Sequence, residues 1–551
     1  MLEQNFFYHE ALELTKKLVK IPSLNGTKGE RDLAEYVRNW LGELPYFQEN
    51  PDYLLTQELK NDPLHRINVL ALVRGTKSDC ADTLILQGHC DTVGIEDYGV
   101  LKEYAFDYEV LPDKIKSLTN DPEVLGDIAS GEWMFGRGAC DMKCGDAVLM
   151  CLTKYFTEHT DQFDGNIVYM LNPVEENQHY GIMDALDVLL AWRKKEKLNY
   201  ILSINTDFFS PSYPGDTHKY FHSGAVGKIL PCFYIYGKPT HVGHAFEGYS
   251  AVLAASEIIR QMELRADFAD EYNGELTLPP VVLRSRDMKP SYNVTSPQTC
   301  FLYFNYFIHN ESMDSIMNRL CEVAKNALEY VNSYTDAQFK RYCERTGEAY
   351  QRIHYPVQVL EYSELYTLAE ERMPKVDAVI KEIVDHEIAK DTDRREISLM
   401  IVERLFEISG ITTPTAVVFL APPYCPRNTM KASVPEEKEL LEDVRNFLNE
   451  LEPVMKEDMK LMQFFPVLSD SSYLKIDDDE ASIEKLIHNF PGYGDVYNVP
   501  FDKIKELNVP AFSFGCYGKD GHKWTERVNL PYTFGKLPNI IFAALERYLI
   551  R

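Results

Sequence analysis

At 551 residues the chain is too long for one compact core, so two or more domains are expected. A formal net charge of −28 repels phosphate backbones and anionic lipid, which argues against nucleic acid and membrane surfaces as partners. With 45% hydrophobic and 26% charged residues the chain is globular rather than disordered, and its 11 scattered cysteines are no secreted disulfide framework, so a reducing cytoplasm is expected.

The opening, MLEQNFFYHEALELTKKLVK, places Phe6, Leu12, Leu14, Leu18 and Val19 at helical spacing. It predicts an amphipathic helix over 5–20 rather than a signal peptide, and no run of about 18 apolar residues offers a membrane span. A second helix is expected in GTKGERDLAEYVRNWLGEL, then strands at 66–73 (RINVLALV) and 83–88 (TLILQG). A helix at 142–159 is followed by a strand at 165–171, the helix MDALDVLLAWRKKEK and a strand at 200–205. Short apolar strands alternating with amphipathic helices mark an α/β domain with a mostly parallel sheet.

Near residue 215 the rhythm changes. VGKILPCFYIYG, SAVLAASEIIRQMELR, PPVVLRSR, CFLYFNYFIH and MDSIMNRLCEVAKNALEYVNSY read as strand, helix, strand, strand and helix. That order suggests a smaller α+β unit inserted into the first domain. The expected division is 1–215, an inserted unit at 216–332 (or to about 365), and 333–551 completing the first domain with a helix-rich extension. Within that last stretch only TAVVFLA (415–421), VPAFSFGCYG (509–518) and the closing helix NIIFAALERYLI are clear.

The predicted strands deliver acids and histidines to their ends: His89 and Asp91, Glu175 and Glu176, Asp207, and His522. Asp141 follows the glycines of FGRGACDMKCG, just before a predicted helix. In open α/β sheets ligands gather beyond the carboxyl ends of the strands. Singly, such residues are more often turn formers or caps, and His241 or His244 alone is unremarkable. Together they form a nitrogen/oxygen donor set suited to Zn²⁺, with Co²⁺ or Mn²⁺ as alternatives. Two ions about 3.5–4 Å apart, sharing a carboxylate, would use all of the donors.

These segments resemble the M20 group of dinuclear zinc peptidases and deacylases. GHCDTV, GRGACDMKCG, NPVEENQHYG, NTD and GHKWTERV are similar to its successive site segments, and GKPTHVGHAFEGYSAV to its lid segment. The resemblance covers 1–310 and 505–551 well and the middle poorly. Within the group, length and middle region look most similar to arginine-utilisation proteins, which implies a link to arginine catabolism.

The resemblance implies a zinc-exopeptidase-like catalytic domain with an inserted α+β lid. His89 and Asp207 would bind one metal, Glu176 and His522 the other, and Asp141 would bridge them. Asp91 would orient His89, Glu175 would be the general base, His241 would stabilise the oxyanion, and Asn293 in SYNVTSP would lie near the substrate. The implied partner is a small amino-acid or peptide substrate, and the implied assembly a homodimer through the lid. The expected reaction is hydrolysis of an amide bond in a small N-acyl amino acid or short peptide.

One departure is plain. The lid strand FNYFIHN lacks the arginine that many members use to hold a substrate carboxylate. Arg427 in CPRN is a speculative substitute, and an ordinary surface arginine is its plainer reading. Cys90 and Cys140 flank the proposed ligands and read better as space-filling residues than as thiol nucleophiles. Glu526 caps the last segment or orients a ligand, and Asp470 in LSDSSYL is too uncertainly placed to assign. The alternatives to the enzyme are a catalytically silent binding or regulatory protein on the same scaffold and a cysteine hydrolase using Cys90.

Overall fold

The computed structural model describes residues 5–550, so the first four residues of the MLEQ opening lie outside the described residues. The chain forms two compact units. The first comprises Met1–Ala225, Asn428–Ile476 and Pro500–Arg551, and the second Val226–Arg427 and Asp477–Val499.

The first unit is built on an eight-stranded sheet. Its order is Leu54–Glu58, Ile67–Arg74, Asn166–Asn172, Asp82–His89, Asn199–Asn205, Ala511–Phe514, Lys219–His222 and Met459–Met462. The four central strands, Asn166–Asn172 through Ala511–Phe514, run parallel. Every residue of Asn166–Asn172 is buried, as expected for a strand covered on both faces. Helices Tyr8–Val19, Cys144–Glu158 and Leu537–Leu549 pack their apolar stripes into one core with the sheet. The expected helices and strands of this region are present, with the strand at 509–518 shortened to Ala511–Phe514.

The second unit has a five-stranded sheet in the order Val281–Asp287, Thr299–Ile308, Gly227–Tyr236, Thr415–Cys425 and Gln358–Glu361. The first four are antiparallel neighbours, and Gln358–Glu361 joins in parallel. Ser312 caps the helix Met313–Thr346, which runs 34 residues, past the helix end expected at Tyr334 and the unit end expected at 332. The expected return of 333–427 to the first domain is therefore corrected. Thr415–Cys425 pairs with Gly227–Tyr236, a contact between segments far apart in the chain that local pattern does not encode. The start also shifts, because Lys219–His222 pairs with Ala511–Phe514 and stays in the first unit. No helix among the described residues is long and apolar enough to cross a membrane.

Candidate active site

The parallel strands end level with one another: His89 lies opposite Asn172, and Gln87 opposite Asn205. Their tips therefore deliver His89, the Val174–His179 loop and Asp207 to one edge. Gly88 permits this close fit. A Cβ there would lie 2.0 Å from Asp146 Oδ1, on the helix Cys144–Glu158, and 2.9 Å from the Met142 side chain.

Asp141 lies between the two histidines. Its Oδ1 is 3.2 Å from His89 Nε2 and its Oδ2 is 2.9 Å from His522 Nε2. His522 Nε2 is also 3.0 Å from Glu176 Oε1. Donor atoms of His89, Asp141 and Asp207 lie within 4.8 Å of one another, as do those of Asp141, Glu176 and His522. The five residues come from five separate stretches of chain, and Asp141 belongs to both groups.

The surrounding backbone is tied down by side chains that local patterns leave unassigned. Glu526 Oε1 accepts hydrogen bonds from the backbone N–H groups of Cys140 (3.2 Å) and Asp141 (3.4 Å). Its other oxygen accepts from Arg137 at 2.6 Å, and Arg137 also reaches Asp97 and the Gly94 carbonyl. Of the two roles open to Glu526, orienting a ligand residue describes this arrangement. Asp91 accepts from the backbone N–H groups of Glu175 and Glu176, at 3.0 Å each, and from Asn25. The Asp91 carboxylate is 3.7 Å from His89 Nδ1, and its backbone carbonyl is nearer at 3.0 Å. The carbonyl therefore orients the imidazole, while the carboxylate sets the loop that carries both glutamates.

The electrostatics fit a cationic occupant. Burial pushes the Glu175 carboxyl well above its ordinary range, although His89 pulls the other way. Burial and the neighbouring Asp141 do the same to Asp207. Burial also opposes the charge on Asp141, but hydrogen bonds to His522 and His89 outweigh it and hold Asp141 below the usual carboxylate range. Glu175 Oε1 is buried and has no hydrogen-bond partner among the described residues. Four carboxyl groups gathered around two imidazoles are costly to bury without added positive charge. The oxygen and nitrogen donors suit divalent metal ions of the zinc, cobalt or manganese type. Burial pushes the Cys90 and Cys140 thiols well above their ordinary value, which argues against either as a thiolate nucleophile.

A third cluster includes Glu175. Donor atoms of Glu175, His179 and Asp470 lie within 4.8 Å of one another, all in buried side chains. Sequence reading left Asp470 unassigned and passed over His179, because their meeting depends on a segment remote in the chain. The only local hint was the polar run SDSSY within a charged, helix-rich stretch.

His241 and Asn293 belong to the second unit and meet in one exposed corner of it. His241 pairs with Thr295, and Asn293 Oδ1 accepts from the backbone N–H of Thr295 at 3.1 Å. His241 Nδ1 accepts from the N–H of Gly243 at 3.0 Å. Arg427 is not a surface residue. It is buried, and its guanidinium donates to the carbonyls of His309 and Glu311 and lies 3.3 Å from Asp478. Those contacts give it a structural role rather than that of a free substrate arginine.

Comparison with known proteins follows the same lines. Residues 85–530 match Peptidase family M20/M25/M40. The chain is 36% identical over 528 residues to protein RocB of Bacillus subtilis (strain 168), covering 96% of this chain and 93% of that protein. It is 33% identical over 549 residues to the uncharacterized protein YqjN of the same organism, covering 98% and 96%. Among solved structures, aminopeptidase PepT from Bacillus cereus shares the fold, with a TM-score of 0.51 at 13% identity over 98% of both chains. A family match over residues 85–530, with 36% identity to a relative across 96% of the chain, places this chain in peptidase family M20/M25/M40.

Proposed function

We propose that this M20-family hydrolase cleaves an amide bond of a small N-acyl amino acid or short peptide, using two divalent metal ions. One observation carries the reading: Asp141 presents one carboxylate oxygen to His89 and the other to His522. A single carboxylate divided between two imidazoles, each in its own donor group, is an arrangement that suits a shared pair of ions. In this reading His89 and Asp207 would hold one ion and Glu176 and His522 the other, with Asp141 available to both. The donor set favours Zn²⁺, with Co²⁺ or Mn²⁺ as alternatives. The chemistry such ions supply is acidification of a water and polarisation of the scissile carbonyl.

The chain's own residues do the rest. Glu175 accepts the proton of the attacking water on its carboxylate and returns it to the leaving nitrogen. Asp91 holds the backbone of Glu175 and Glu176, so that two adjacent glutamates keep separate tasks. His241 is assigned to the developing oxyanion and Asn293 to the substrate. The assignment rests on their segments' likeness to the family's and on their shared corner. A homodimer through the second unit and a cytoplasmic setting belong to the same reading. The sequence's resemblance to arginine-utilisation proteins adds arginine derivatives as a candidate substrate class and arginine utilisation as the candidate setting.

The test is metal analysis followed by a panel of N-acetyl amino acids, N-acetyl-L-arginine included, and dipeptides against metal-loaded protein. The expected result is two ions per chain and chelator-sensitive turnover of at least one panel member. Absence of bound metal, with no hydrolysis after metal addition, would instead support the silent binding protein.

A further inference from the structure

The loop that carries Glu175 is held in an unusual conformation. Val174 and His179, on either side of it, both adopt left-handed backbone angles, with φ of 70° and 57°. Neither is glycine, and such residues keep this conformation only where their surroundings enforce it. The two ends are tied to each other, since His179 N–H donates to the Val174 carbonyl at 2.9 Å. Glu30 accepts from Val174 N–H at 3.1 Å, and Asp91 accepts from the next two N–H groups. These bonds fix the loop's backbone and leave open what fixes the Glu175 side chain.

That side chain faces a pair, His179 at the loop's own end and Asp470 from a remote segment, whose donor atoms and its own all lie within 4.8 Å of one another. Asp470 Oδ1 is 3.0 Å from His179 Nδ1, and Asp470 Oδ2 accepts from Asn172 Nδ2 at 3.0 Å. Asp470 belongs to the short turn Asp470–Tyr473, which the sheet grips through further side chains. Gln87 donates to Ser471 Oγ at 2.9 Å, and Asn205 to Ser469 Oγ at 3.3 Å. Asn172, Gln87 and Asn205 stand on three adjacent parallel strands, the same strands whose ends bear Glu175, His89 and Asp207. One rigid sheet therefore positions both the metal-ligand candidates and the turn that carries Asp470.

We propose that His179 and Asp470 are positioning residues for Glu175: Asp470 fixes the His179 ring, and the ring fixes the Glu175 carboxylate for proton exchange. The inference rests on the reading of Glu175 as general base. Asp470 accepts from His179 Nδ1–H and so selects the ring's tautomer and orientation, as a carboxylate does for a histidine that serves another group. No bond to substrate is assigned to either residue.

The test pairs kinetics with a measurement that needs no substrate. In metal-loaded Asp470→Asn and His179→Gln, kcat on the best substrate of the panel should fall 10- to 100-fold, with KM within twofold and two ions retained. An unchanged kcat beside a lower melting temperature marks a structural staple and overturns the proposal. The second measurement follows the ring ¹⁵N resonances of histidine-labelled protein. His179 should show a protonated Nδ1, and Glu175→Gln, which alters only the proposed partner, should shift its signals. Signals unmoved by Glu175→Gln overturn the proposal even where no panel member is turned over or Asp470→Asn fails to fold. Turnover retained in Glu175→Gln with a shifted His179 signal would count against the base reading instead.

Discussion

The strand-tip cluster of the first unit and the His241–Asn293 corner of the second are built on opposite principles. In the first, buried side chains are held from several directions: Asp141 by the bonds that its own N–H and that of Cys140 make to Glu526, His89 by the Asp91 carbonyl, and the glutamate loop by Asp91 and Glu30. In the second, both residues are exposed, and their bonds close local turns on themselves. A buried cluster of charges must be fixed in advance, because each misplaced group pays its desolvation without compensation. An exposed corner pays no such penalty and keeps the freedom to adjust to a ligand.

That contrast can be broken or sharpened by substitution. The largest effect is expected at Asp141. Asp141→Ala removes the one group common to both donor triads, so metal content should fall from two ions toward none and activity should vanish. Retention of both ions on mass-spectrometric metal analysis would break the shared-carboxylate reading. Glu175→Gln should follow, with about a 10²–10⁴-fold loss in kcat and near-normal metal content. His241→Ala should lower kcat by about 10²–10³-fold, the scale of losing one oxyanion donor, while metal binding and melting temperature stay unchanged. A large drop in stability there would show that the corner is less open than its exposure indicates.

Glu526→Ala turns the comparison to stability. It removes the nearer of the two carboxylates that pair with the buried Arg137 guanidinium, leaving Asp97, and frees the backbone N–H groups of Cys140 and Asp141. Removing one partner of a buried pair costs about 3–5 kcal/mol, readable by urea denaturation. Asn293→Ala should be the mildest, with stability within about 0.5 kcal/mol of the parent, as expected for an exposed site, and its effect confined to KM. A loss of metal in Asn293→Ala would contradict the division between the two regions.

Much of the first unit was legible because its signals are local. The apolar runs at 66–73, 83–88, 165–171 and 200–205 have the length and bounds of buried strands, and the polar residues closing them mark one edge of the sheet. The four-residue strands Lys219–His222 and Met459–Met462 were not legible, being too short to show a period. The extent of the second unit was misjudged for a related reason. The stretch 333–427 reads as charged helices, while its membership is set by Thr415–Cys425 pairing with a strand almost two hundred residues earlier.

Residue types and their spacing along the chain determined which groups were available: two imidazoles, a run of carboxylates, and apolar strands to carry them to one edge. Only the tertiary structure decided how those groups are divided. It places Asp141 between His89 and His522, turns the Asp91 carbonyl rather than its carboxylate toward His89, and brings Asp470 beside His179. The physical reason is that hydrophobic periodicity is written into each segment. The pairing of buried charges is a property of segments that meet only when the sheet has formed.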